Sequence, residues 1–365
     1  MTNLWRKQRE KRAFLALADG SVFHGFSFGY PRDCTGEAVF NTGMTGYQEI
    51  LSDPSYAGQF VTLTTAEVGN YGCRREDMES RGLFLSGLVV QEVNPSSNCR
   101  AEEELPDFLI RHRKPAIAGV DTRALTLHLR RCGAMKAFLH VEETPLAEAD
   151  AVKRAAEWEG LDGQDYASRV TVDAPFRWNE TGKFRVAVYD FGVKYNILRR
   201  LAARDLQLTV FPAGTPAGEI LATRPDGVFL SNGPADPAAV GYAIENIRDL
   251  LGKVPLMGIC LGHQLLGLAC GAGCGRLKFG HHGCNHPVKD LRSGAVAISS
   301  QNHNYALTRL PDSLEMTHVN LNDGSCEGIR HRTLPAFGLQ YHPEAAPGPH
   351  DAETIFDEFI QLMEK

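Results

Sequence analysis

From residue 184 onward the chain repeats one pattern, an apolar run of strand length followed by a stretch with helical spacing. "FRVAVYDF", "LQLTVF", "GVFLSN" and "VPLMGI" alternate with "KYNILRRLAARD", "TPAGEILATR", "DPAAVGYAIENIRDLLG" and "LGHQLLGLACG". A strand that is apolar along its whole length has both faces covered, and a helix between successive strands returns the chain to start the next one in parallel. The pattern predicts an α/β domain over 184–365 built on a doubly wound, mostly parallel sheet. Ligands of such sheets sit at the carboxyl ends of the strands. "LSNGP" (230–234) and "GICLG" (258–262) should therefore share one rim.

The first 150 residues read differently. "FLALADGSVFHGFSFG" is two strands around an Asp19-Gly20 turn, and "EAVFNTG" and "QFVTLTT" are further short strands. Helices are expected around "ELPDFLIRHR" and "DTRALTLHLRRCG", the second stopped by Gly133 after a basic last turn. This is a mixed, β-rich domain over 1–150, joined to the second by an acidic helix and linker over 151–183. A chain of 365 residues suffices for two cores.

Composition removes several function classes. A net charge of −6 gives no general attraction to nucleic acid or anionic membrane. The basic "WRKQREKR" at the start lacks the cleavage pattern of a secretory signal and reads as a solvated arm. No window of about 18 apolar residues exists to span a membrane. Nine irregularly spaced cysteines, an odd number, point to reduced thiols in a cytoplasmic protein. Cys270, Cys274 and Cys284 lie near His281, His282 and His286, but without a CxxC pair they read as small buried thiols beside solvated histidines on loops, with no metal.

Within the repeating pattern, "GICLGHQ" (258–264) holds a cysteine between two glycines where a strand passes into a helix. This is the nucleophile-elbow spacing, with Cys260 at its centre. Side chains at 258 or 262 would collide with the helix or the sheet, and the sharp turn lifts the sulfur to the amino end of a helix, where N–H groups favour negative charge. The same N–H groups can hold an oxyanion.

A sulfur nucleophile needs a proton donor for the leaving group on the same rim. In "PAFGLQYHPEAAPGPHD" a strand runs up to Tyr341, and His342 and Glu344 follow. Residues i and i+2 of extended chain point the same way, so Glu344 can orient the His342 ring. His263, His281, His282, His286 and His303 lack this combination of strand-end placement and neighbouring carboxylate. "FLSNGPADP" supplies a second loop on the rim, with Gly233 placed to donate another N–H.

Together, "GICLGHQ", "SNGP.DP" and "HPE" resemble the class I (triad) glutamine amidotransferase domain. "FNTGMTGYQEILSDPSYAGQ" (40–59), "DTRALT" (121–126), "YDFGVKYNILR" (189–199), "KFGHHGCNHPV" (278–288), "QNHNYA" (301–306) and "PEAAPGPHD" (343–351) extend the likeness to the small-subunit family of carbamoyl-phosphate synthetases. The resemblance implies that Cys260 attacks the carboxamide of L-glutamine and forms a γ-glutamyl thioester. His342 and Glu344 complete the triad, and the N–H groups of Leu261 and Gly233 hold the oxyanion. It also implies glutamine contacts at Ser55, Gly233, Ala235, Gln264, Asn302, Asn304 and Tyr305, with the N-terminal domain docked so that Ser55 reaches the site.

No Walker A loop is present, so the resemblance places ATP and Mg in a large partner subunit and leaves this chain without a cofactor. Ammonia passes to that subunit through a closed passage, because in water near neutral pH it is mostly ammonium. The resemblance further implies that the product is carbamoyl phosphate, used in pyrimidine and arginine synthesis. Two positions depart from the family pattern: "SNGPGDP" has Ala235 here, and "QNHGFA" has Asn304 and Tyr305. If 235 needs positive φ, a methyl group there costs roughly 1 kcal/mol, while asparagine at 304 tolerates left-handed backbone. A retuned glutamine site is expected. A stand-alone γ-glutamyl hydrolase and a non-catalytic regulatory subunit are the alternatives that keep this fold.

Overall fold

The computed structural model describes residues 11–142, 144–234 and 236–364. The chain divides into two compact units between Leu161 and Asp162. Most of the basic arm, and Ala235, lie outside the described residues.

The first unit holds β1 (Arg12–Leu17), β2 (Val22–Ser27), β3 (Cys34–Asn41), β4 (Gln59–Leu63), β5 (Glu67–Val68), β6 (Gly87–Val89), β7 (Glu92–Val93), β8 (Ala116–Ala118) and β9 (Met135–Val141). β5 pairs with β7, and the other seven close into a barrel in the order β1-β2-β8-β6-β4-β3-β9. The Asp19-Gly20 turn joins antiparallel β1 and β2, with Gly20 at φ 97°, a conformation that glycine adopts at no steric cost. The expected helices are Leu105–Arg111 and Thr122–Cys132, and Gly133 ends the second by donating its N–H to Leu129 O at 2.7 Å.

The stretch expected as a linker has structure of its own. Glu148–Glu157 is a helix whose Ala151 and Ala155 pack on Phe14 and Phe138 of the barrel strands. Farther on, a short helix, Ala167–Val170, and β10 (Phe176–Arg177) belong to the second unit. Burial of Ala151 and Ala155 in the first helix, and of Ala167 and Val170 in the second, outweighs the polar composition that suggests a connector.

The second unit continues with β11 (Phe184–Asp190), β12 (Leu206–Pro212), β13 (Gly227–Leu230), β14 (Leu256–Ile259), β15 (Gly273–Asp290), β16 (Val296–Arg309), β17 (Leu314–Asn320), β18 (Cys326–His331) and β19 (Ala336–Leu339). Its sheet runs β10-β12-β11-β13-β14-β19-β18-β17-β15-β16. β12, β11, β13, β14 and β19 are parallel neighbours, as the repeat predicts. Alternate residues of one strand go to opposite faces: Ala187 and Tyr189 pack with helix residues Ile220, Ile247 and Leu265, while Val186 and Val188 pack with Leu198, Leu201 and Phe356. Covering both faces of the sheet in this way explains why these strands carry so little polar residue.

β15 to β18 add an antiparallel extension that the alternation does not announce. The histidines expected on solvated loops are consequently on strands, with His281, His282 and His303 buried in β15 and β16 and His286 half-buried. The run "KFGHHGCNHPV" has no simple two-residue alternation because β15 bends through bulges on both sides of its histidine pair.

Candidate active site

β14 ends at Ile259 and the helix Leu261–Ala269 begins two residues later, so Cys260 alone makes the change of direction. Its backbone lies at φ 52°, ψ −106°, where side chains other than glycine are rare and strained. Both neighbours hold it there. Its N–H donates to Leu339 O at 2.8 Å, and its carbonyl accepts from Gln264 N–H at 3.1 Å.

The flanking glycines have separate tasks. A Cβ on Gly258 would lie 2.6 Å from the backbone of Gly262, and one on Gly262 would lie 2.1 Å from Leu230 O. The first glycine lets the helix close on its own strand, and the second lets it cross β13. Neither contact can relax, because both are with backbone.

Cys260 Sγ sits 3.5 Å from Asn302 O, at the amino end of a helix whose first amide, Leu261 N–H, has no acceptor within the helix. The loop after β13 lies against that end. A Cβ on Gly233 would be 2.8 Å from Leu261 Cδ2 and 2.3 Å from Phe191 O, so only glycine allows this approach. Gly262 N–H donates to Ser231 O at 3.0 Å, which ties loop and elbow together.

His342 follows β19 and donates its own backbone N–H to Ser300 O at 2.9 Å. Its Nδ1 lies 2.7 Å from Glu344 Oε1, both groups being buried. Burial works against a charged ring, but the Glu344 carboxylate and the Cys260 thiol outweigh it and carry the pKa up to about 10. His342 Nε2 is buried and makes no hydrogen bond of good geometry in the resting site. It is the ring atom left to exchange a proton with sulfur and substrate.

Glu344 has a second buried partner, Lys194, whose Nζ donates to Glu344 Oε1 at 2.9 Å and also to Ala345 O. Burial raises the carboxyl, while Lys194 and His342 draw it down to about 2. In the sequence, Lys194 stands out only as part of a family motif. The readable signal was a lysine just past the carboxyl end of an apolar strand, on the rim where the site forms. Asn232 Oδ1 accepts the Lys194 backbone N–H at 3.0 Å, and Asn196 donates to the backbone carbonyl of Glu344, so two further residues fix the main chain at both ends of the Lys194–Glu344 pair.

Gln264, one helical turn from Cys260, gives its Nε2 to Tyr305 O at 2.7 Å and to Gln340 Oε1 at 3.0 Å. A substrate contact from it would use Oε1. Tyr305 is buried, and its hydroxyl donates to Asp162, which also pairs with Arg276. Asn302 and Asn304 occupy β16, and Asn304, which would tolerate left-handed backbone, does not adopt it: it lies between His303 and Tyr305, which pair with His281 and Arg276 of β15. Ser55 belongs to the first unit, in the turn Pro54–Tyr56, with its N–H on Asp53 Oδ1 at 2.9 Å.

His263, beside the nucleophile in sequence, is wholly buried in the elbow helix, where burial pushes its pKa to about 4. Among the described residues, His281, His303 and Glu327 bring ligating atoms within 4.8 Å of one another. Both oxygens of Glu327 accept from Gln301 and Asn320, and both ring nitrogens of His303 lie on oxygens of Gln301 and Tyr305. The cluster is a hydrogen-bonded brace behind β16. Cys284, once grouped with these histidines, lies beside Ser300, while Cys270 and Cys274 pack against an apolar core.

The family model for class-I glutamine amidotransferases matches residues 187–362, and that for the CPSase domain of the carbamoyl-phosphate synthase small chain matches 15–139. The carbamoyl phosphate synthase small chain of Bacillus caldolyticus is 51% identical over 354 residues, covering 96% of each chain. That of Syntrophotalea carbinolica is 49% identical, covering 97% of this chain and 98% of its own. The chloroplastic small chain of rice is 47% identical over 96% of this chain and 82% of its own.

Proposed function

Because the chain belongs to the carbamoyl-phosphate synthase small-chain family, whose members supply the glutaminase of that enzyme, we infer that Cys260, His342 and Glu344 perform its glutamine hydrolysis. The single observation carrying the assignment is the strained cysteine at a helix amino end together with a buried imidazole held 2.7 Å from a carboxylate.

The chemistry follows from the geometry. His342 takes the thiol proton, and Sγ adds to the carboxamide carbon of glutamine. The oxygen of the tetrahedral adduct gains charge, which the N–H groups of Leu261 and Gly233 are placed to offset. Collapse breaks the carbon–nitrogen bond, and His342 returns its proton to the departing ammonia. Water then adds to the thioester, giving its proton to His342, and glutamate leaves as the sulfur recovers one. Glu344 holds the ring in the tautomer that puts Nε2 toward the reaction throughout. Gln264, Asn302, Asn304, Tyr305, Ala235 and Ser55 are the contacts we assign to glutamine on the family pattern.

Ammonia has to be consumed elsewhere, and we place bicarbonate activation, ATP and Mg2+ in a large partner subunit. The resulting carbamoyl phosphate feeds pyrimidine and arginine synthesis. No helix among the described residues is long and apolar enough to cross a membrane. Nine cysteines, none of them in a disulfide among the described residues, support a reducing, cytoplasmic setting.

Co-expression with a large chain is the test. The two should co-purify and make carbamoyl phosphate from glutamine. Glutamine hydrolysis at full rate without any large chain bound, and no carbamoyl phosphate when it is present, would indicate a stand-alone γ-glutamyl hydrolase.

A further inference from the structure

β15 and β16 pair His282 directly with Asn302. The His282 ring is buried and spans two side-chain amides of β16: Nδ1 lies 2.9 Å from Asn302 Oδ1 and Nε2 lies 3.0 Å from Asn304 Oδ1. Gly280, at φ 71°, makes room for the second contact, since a Cβ there would sit 2.4 Å from both His282 Nε2 and Asn304 Oδ1. Burial drives the ring to about 4, so it is neutral at working pH. A neutral imidazole has one N–H and one acceptor nitrogen. It therefore cannot donate to both amides, and one of the two must turn its NH2 group toward the ring; amide oxygen and nitrogen are near-identical in shape and exchange by a simple flip.

We propose that Asn304 acts through His282 to set which end of the Asn302 amide faces glutamine. In this arrangement Asn304 gives NH2 to Nε2, which fixes the proton on Nδ1, and Nδ1–H donates to Asn302 Oδ1. The Asn302 NH2 is then turned away from His282 as a donor. The backbone of the same residue touches the nucleophile, its carbonyl lying 3.5 Å from Cys260 Sγ, and its side chain is one of the glutamine contacts proposed above. The α-carboxylate of glutamine is the substrate group that needs a donor. A glycine at position 304 would offer no side chain to impose this tautomer, so His282 is a positioning residue whose orientation is fixed by Asn304.

The inference rests on the glutaminase reading, and the decisive variant is Asn304→Asp. A carboxylate only accepts. At a pH above the ring's pKa in this variant, read from the same 15N spectra, it draws the one proton to Nε2, leaves Nδ1 as an acceptor, and compels Asn302 to turn its NH2 inward and its oxygen outward. Steady-state glutaminase assays on the holoenzyme should show the glutamine KM of Asn304→Asp raised about tenfold or more, the size expected when a donor is replaced by an acceptor, with a much smaller change in kcat. 15N spectra of histidine-labelled enzyme, with His282→Gln identifying the signal by its loss, should show the proton on Nδ1 in wild type and on Nε2 in Asn304→Asp. A wild-type ring protonated on Nε2, or an unaltered KM in Asn304→Asp, overturns the proposal. A wild-type holoenzyme that does not hydrolyse glutamine at all instead removes the glutaminase reading, and the spectra still report on the relay.

Discussion

Cys260→Ser should abolish carbamoyl phosphate synthesis from glutamine while leaving synthesis from added ammonia at the wild-type level. The expected loss is on the order of 10⁴-fold or more, as for removal of a nucleophile whose partners act only through it. Serine fits the elbow, since the backbone strain at φ 52° and the contacts of Gly258 and Gly262 do not involve Sγ. What disappears is a sulfur that a neighbouring imidazole can readily deprotonate, replaced by a hydroxyl far harder to ionise. Ammonia bypasses the elbow because it arrives as the product that the second unit would have made. Equal loss of both activities would mean that the substitution disrupts assembly, and equal retention would remove Cys260 from the chemistry.

The second large effect concerns the buried cation. Lys194→Met leaves the buried Glu344 with His342 as its remaining ionic neighbour among the described residues, and breaking a buried pair in this way costs about 3–5 kcal/mol. Urea or thermal unfolding should show the loss, accompanied by reduced kcat, because the carboxylate that orients His342 is no longer anchored. Glu344→Gln combined with Lys194→Met should recover much of the stability and none of the activity. The pH dependence has a definite sign. Glu344 is held at about 2 against an ordinary value of 4.5, so its contribution is present above pH 4.5 and fades as pH falls toward 2. The gap between wild type and Lys194→Met should therefore be widest above pH 4.5 and narrow below it. A variant as stable as wild type at neutral pH would show that the pair contributes nothing net.

The parallel core, the elbow and the His342–Glu344 pair were legible because each follows from local rules. Apolar strands alternate with amphipathic helices, two glycines bracket one cysteine, and residues i and i+2 of extended chain share a side. Lys194 and the His282 clamp were not legible, since each acts across the sheet: Lys194 meets Glu344 only when β11 and β19 lie on one rim, and His282 meets Asn302 only through the register of β15 and β16. The histidine-rich segment misled for a related reason. Bulges break the two-residue alternation that marks a strand, so a long β-ribbon, buried mainly around its histidines, reads as loops. The acidic helix at 148–157 was expected but its docking was not, because two alanines suffice to pack it on the barrel while its remaining residues are mostly polar.

A rapid-quench experiment with isotopically labelled glutamine and the assembled enzyme tests the central claim most directly. Acid quenching within the first turnovers, followed by mass analysis of the peptides, should find a labelled glutamyl group on Cys260 and on no other cysteine. Turnover at the normal rate with the adduct absent from Cys260, or present on a different residue, would contradict the account.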